Sequence, residues 1–111
     1  LLGLFAHEAT HNWYYGILGS NETRYPFMDE GFTSFSEEEF MNEFYAEEKE
    51  VNAHLSAYNN YFYLLDLNDS IPGYHEPMNL SADYFEHNKM HTMAAYYLGE
   101  LFVNQVRYIV G

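Results

Sequence analysis

The stretch AHEATHNWYYG, residues 6–16, places His7, Glu8 and His11 within two helical turns. Histidines four apart lie on one face of a helix, where both imidazoles reach the same point. Zn2+ prefers four tetrahedral ligands, and a catalytic site takes three from the protein and leaves the fourth for water. Glu8 points about 100° around the helix from His7. From there it can act on a water without binding the metal, which makes it the candidate general base of an HExxH arrangement. A third ligand has to come from further along the chain. Eighteen positions separate His11 from Glu30, and HExxH-x18-E completes the set inside the segment MDEGFTSF. The chain has no Cys, so disulfides and thiolate sites are excluded and any metal sits on His and carboxylate.

These residues need elements to hold them. Apolar spacing from Leu1 to about Leu18 predicts a helix carrying both histidines, with Gly19-Ser20-Asn21 as its stop. Asn21 to Asp29 contains Pro26 and no helical period, and reads as a connecting loop. A second helix is expected from near Asp29 through EGFTSFSEEEFMNEFYAEE, with Phe32, Phe35, Phe40 and Phe44 as its apolar stripe. Its acidic stretch, Ser36 to Glu50, reads most simply as a solvated face. Within that stretch Glu37 lies two turns after Glu30 on the same side. It is a candidate to accept the free ring N–H of a metal-bound histidine, the alternative being one of three consecutive surface glutamates.

A third, weaker helix is expected over residues 52–68, followed by a long irregular piece, residues 68–84, with two prolines and a glycine. The last helix, about Asn88 to Val110, is apolar on two faces. Met90, Ala94, Tyr97 and Leu101 form one row and Gly99, Val103, Val106 and Val110 the other, the pattern of a buried helix. His87 and His91 make a second pair four apart. Asn88 stands where a base would be and no acid follows at a matching offset, so this pair reads as structural or surface. His54 and His75 are isolated. The expected class is mainly α, one domain over residues 1–111.

A chain of 111 residues encloses one hydrophobic core, and 48% apolar with 20% aromatic content is far from the composition of disorder. Seventeen acidic residues face four basic ones, a net charge of -13. That field repels phosphate backbones and anionic lipid, so nucleic acid and membrane surfaces are poor partners, while a peptide amine is attracted. No apolar run is long enough for a membrane span, and no N-terminal segment reads as a signal peptide. The chain enters an apolar stretch at Leu1 with neither Met nor a capping residue. It therefore reads as a fragment of a larger protein, whose remainder the first and last helices expect as a partner. The compartment stays open.

The same residues resemble the aminopeptidase N-like zinc metallopeptidases of the gluzincin type. Their pattern is HExxH-x18-E, with an aromatic soon after the second His and the last Glu inside (N/D)-E-G-F. Here Trp13 follows His11 by two and DEGF is present. The family also uses the tyrosine of a Y-x-K-G motif on a later helix, and AYYLGELFVNQVRYIVG offers Tyr96, with Leu98 in the place of the family's Lys. An acid at the position of Glu37 is frequent in the family. The resemblance implies the helical portion of a thermolysin-like metallopeptidase catalytic domain and one Zn2+ held by His7, His11 and Glu30. It implies Glu8 as base toward the attacking water, Tyr96 as donor to the oxyanion, and a peptide substrate cut at its N-terminal bond. The family's G-x-M-E-N segment, which binds the substrate amine, lies upstream of HExxH and outside this sequence. A thermolysin-like zinc endopeptidase and a non-catalytic peptidase-like binding module stay open as alternatives.

Overall fold

The first helix stops well short of the length its apolar spacing predicts. In the computed structural model, which describes residues 1–45 and 54–111, α1 spans Leu2–Thr10. Side chains share the backbone carbonyls at its end. The Asn12 amide donates to the Ala9 carbonyl at 2.8 Å and the Thr10 hydroxyl to that of Ala6 at 2.7 Å. Such local bonds compete with the helical ladder. Tyr15 then takes a left-handed φ of 84°, and the expected continuation to Leu18 is a series of turns. His11 is thus the first residue past α1.

The loop expected to reach Asp29 also ends early. Pro26, lacking an N–H, suits a helical start, and a π turn over Phe27–Gly31 runs directly into α2 (Phe32–Tyr45). The phenylalanine stripe of α2 is not its buried face: Phe32, Phe35 and Phe40 are half-buried and Phe44 is 68% exposed. Gly31, Thr33 and Ser34 are buried instead, since small residues are what close helix contacts admit. Within the acidic stretch Glu43 is exposed as a solvated face requires, but its first cluster is not. Glu37, Glu38 and Glu39 are half-buried, with histidines facing Glu37 and Glu39; residues 46–50 of that stretch lie outside the described residues.

Helix α3 covers Leu55–Ser70, with Ala57 and Leu64 buried; residues 52 and 53 of the expected helix lie outside the described residues. Residues 71–87 are irregular apart from a 3-10 turn at Ala82–Tyr84. The last helix is continuous but not uniform: α4 (Asn88–Thr92), a π segment (Met93–Leu98) and α5 (Gly99–Val110). Met90, Ala94 and Leu101 of the first expected row are buried. Of the second row Gly99 and Val103 are buried, whereas Val106 and Val110 are 40% and 75% exposed. Every residue of α5 from Gln105 onward is exposed, so the second row loses its cover where the end of the helix runs past its neighbours and not through a change of face.

Leu64 from α3, Tyr74 from the irregular segment, and Met90, Met93 and Ala94 form the core cluster. The first π segment and the start of α5 meet at two glycines. A Cβ on Gly31 would lie 2.6 Å from the Cα of Gly99, so the backbones touch. Among the described residues the fold is mainly helical with no strand, and no helix is long and apolar enough to cross a membrane. Phe5 at one end of the chain and Tyr108, Ile109 and Val110 at the other leave apolar surface exposed.

Candidate metal centre

Helix α1 delivers His7, its only buried residue, and the turn after it delivers His11. The π segment before α2 delivers Glu30. The three ligand atoms lie within 4.8 Å of one another, the one such group found among the described residues. Glu30 Oε2 stands 3.1 Å from His7 Nε2 and 3.5 Å from His11 Nε2. Two ligands on a tetrahedral zinc, with bonds of about 2.0–2.1 Å, are separated by roughly 3.3 Å. The donor set and the spacing fit that ion.

Each histidine meets a second carboxylate at its other nitrogen. His7 Nδ1 is 3.0 Å from Glu37 Oε2 and His11 Nδ1 is 2.8 Å from Asp29 Oδ1. Sequence spacing singled out Glu37. It missed Asp29, although the Asp of DEGF stands directly beside Glu30, because attention to ligand offsets does not reveal who faces the far side of a ring. Thr33 Oγ1 lies 3.3 Å from His11 Nδ1.

Tyr96, brought in by the π segment of the last helix, stacks on His7 with ring centroids 5.9 Å apart. Glu8 is exposed and shares with Tyr96 and His7 a cavity of about 430 Å3, whose wall also includes Glu37, Glu38 and Glu100. Tyr96 lines a second, smaller cavity of about 230 Å3 together with Glu30, Asp29 and His91. The tyrosine therefore stands between two open spaces, next to the ligand cluster.

The electrostatics follow from this crowding. His7 is held above its ordinary pKa by its hydrogen bond to Glu30, against the pull of burial, with Glu37 adding to the rise. Burial pushes the Glu30 carboxyl up, but the hydrogen bond from His7 and the charge of His11 outweigh it and hold Glu30 low. Asp29 goes the other way: burial, joined by the charges of Glu30 and Glu22, raises it against the pull of His11. Burial, then the charge of Glu30 and the bond to its carboxylate, push the Tyr96 hydroxyl up to about 12. Tyr96 therefore keeps its proton at neutral pH and is available as a donor.

The remaining histidines divide. His87 Nδ1 sits 3.4 Å from Glu76 Oε2, and neither it nor His91 joins a third metal-ligating group among the described residues. His75 is exposed. His54 is far from uninformative: it is 4% exposed and bridges Glu100 at 2.8 Å and Glu39 at 3.0 Å. No spacing rule links three residues so far apart. No family model matches the chain, and neither does any curated protein or solved structure with which it was compared.

Proposed function

We propose that this chain is the zinc-binding, helical part of an aminopeptidase N-like metallopeptidase catalytic domain that removes the N-terminal residue of peptides. The observation that carries the reading is the convergence of His7, His11 and Glu30 at zinc-like separations, with Glu8 and Tyr96 on a shared cavity beside His7. Zn2+, when bound, supplies Lewis acidity toward a carbonyl oxygen and makes water a better acid at neutral pH. Glu8 takes a proton from the attacking water on its carboxylate and returns it to the leaving amine nitrogen, so it ends the cycle ionised as it began. The Tyr96 hydroxyl donates a hydrogen bond to the oxygen that becomes negative as water adds to the carbonyl. The acidic wall and the net charge of -13 favour a substrate carrying a free amine.

Glu8→Gln in the intact protein tests this. Hydrolysis of aminoacyl chromogenic substrates should fall by at least about 10²-fold while bound zinc is unchanged. Retained turnover overturns the assignment of the base. Cleavage of N-blocked peptides by the unsubstituted protein would identify an endopeptidase instead. Zinc binding without turnover of either substrate would leave a binding module.

A further inference from the structure

The chain between α3 and α4 has little regular structure, yet it is tied down at two places. At its base, Glu76 is 9% exposed and its two oxygens face different partners. Oε1 accepts the backbone N–H of Glu86 at 2.9 Å, and Oε2 stands 3.4 Å from His87 Nδ1. The His87 ring lies against Tyr74 of the core, with centroids 4.6 Å apart. One carboxylate therefore closes residues 76–87 into a strap and holds both of its ends beside the core. Midway along, the strap meets the loop that leads to Glu30. The Ala82 N–H and the Ser81 hydroxyl both donate to the Thr23 carbonyl, at 2.9 and 3.2 Å.

That meeting point bounds open space beside the candidate centre. Thr23 and Ala82 wall the cavity of about 230 Å3 that Glu30 and Tyr96 also line. The side chains of His7, His11 and Glu30 make their bonds elsewhere, to one another and to Glu37 and Asp29. A shift of the strap thus changes the shape of the space without changing the donor set. A buried carboxylate is costly unless its oxygens find donors, and Glu76 finds them only with the strap closed. Removing that side chain frees the Glu86 N–H and the His87 ring together, so the strap loosens at its base.

We propose that Glu76 is a positioning residue: by clasping the ends of residues 76–87 it keeps Ala82 seated on Thr23, and so sets one wall of the cavity that Glu30 and Tyr96 line. The consequence for peptides rests on the metallopeptidase reading given above; the clasp does not. Hydrogen exchange in the intact protein tests the clasp. In Glu76→Ala the Ala82 amide should exchange about 10–100-fold faster, while the amide of Leu101, buried in α5, keeps its rate. Glu76→Gln should restore much of the protection, because its amide oxygen still accepts the Glu86 N–H. Glu76→Asp, a milder change should the Ala variant fail to fold, should also speed Ala82, its carboxylate being one methylene short. Exchange at Ala82 that is unchanged, or that rises equally at Leu101, overturns the proposal. Kinetics test the consequence: in Glu76→Ala the KM for peptides should rise about 10-fold with kcat and bound zinc little changed. An unchanged KM in a variant whose Ala82 has loosened overturns the positioning role. A protein that hydrolyses no peptide while Ala82 still answers to Glu76 refutes the metallopeptidase reading and leaves the clasp standing.

Discussion

Tyr96 shows how much a neighbourhood can ask of one side chain. In the metal-free chain burial, with the charge of Glu30, pushes its hydroxyl up to about 12, so it keeps its proton well past neutral pH. Tyr96→Phe should therefore lower kcat by about 10²–10³-fold with little change in KM, since a donor aimed at a developing charge acts in the transition state. Steady-state kinetics of the unsubstituted protein against the Phe variant check this. What could be read in the sequence at this scale was the set of residues whose roles follow from spacing. His7, His11 and Glu30 lie within reach of one point, and Glu8 and Tyr96 line a cavity with His7. Asp29 and His54 could not be read in this way. Their partners lie 18 and 46 positions away, and which face of a ring they meet depends on where helices end.

The elements were legible in number and order, and much less so at their ends. Helix α1 ends at Thr10 because Asn12 and Thr10 spend their side chains on backbone carbonyls, a competition that apolar periodicity does not register. The two π segments are likewise invisible to a period of 3.6, yet they place Glu30 and Tyr96. The crossing at Gly31 and Gly99 makes a prediction that belongs to elements. Gly31→Ala introduces a Cβ 2.6 Å from a backbone carbon that cannot swing aside. The first π segment and α5 must part, at a cost of about 1–3 kcal/mol. Gly19→Ala, with nothing within 4 Å of the new methyl, should leave stability nearly unchanged. Urea unfolding of the two variants measures the contrast; equal midpoints would show that the crossing bears no strain.

At the scale of the whole molecule, the excess of acid is organised and not merely dispersed. Glu39 and Glu100 converge on His54 from α2 and α5, and Arg107 pairs with Glu39. Burial pulls the His54 pKa down, but its bonds to Glu100 and Glu39 outweigh this and hold it above the ordinary 6.5. A histidine whose folded pKa is raised stabilises the fold fully below its unfolded value and loses that contribution as pH rises through the folded one. The melting temperature should therefore fall as pH climbs above about 6.5, the ordinary imidazole value. His7, also raised, contributes to the same slope. His54→Gln should flatten it, and a slope identical to that of the unsubstituted chain would remove His54 from the account. The mainly helical class was readable at this scale because apolar rows and breaks are local. The core around Leu64, Tyr74 and Met93 was not, because Tyr74 enters it from a segment without period.

The placement of Glu30 also bears on the order in which the molecule can assemble. His7 and Glu30 are 23 positions apart, whereas the His54 to Glu100 contact spans 46. Doubling a loop adds about 0.6 kcal/mol to the entropy of closing it. The ligand cluster is thus the cheaper closure, and it involves no residue beyond α2. Tyr96 arrives only when the far helix docks across Gly31. On the metallopeptidase reading, the groups that would hold an ion and the tyrosine that would act beside it belong to separate stretches of the chain, and the glycine crossing joins them.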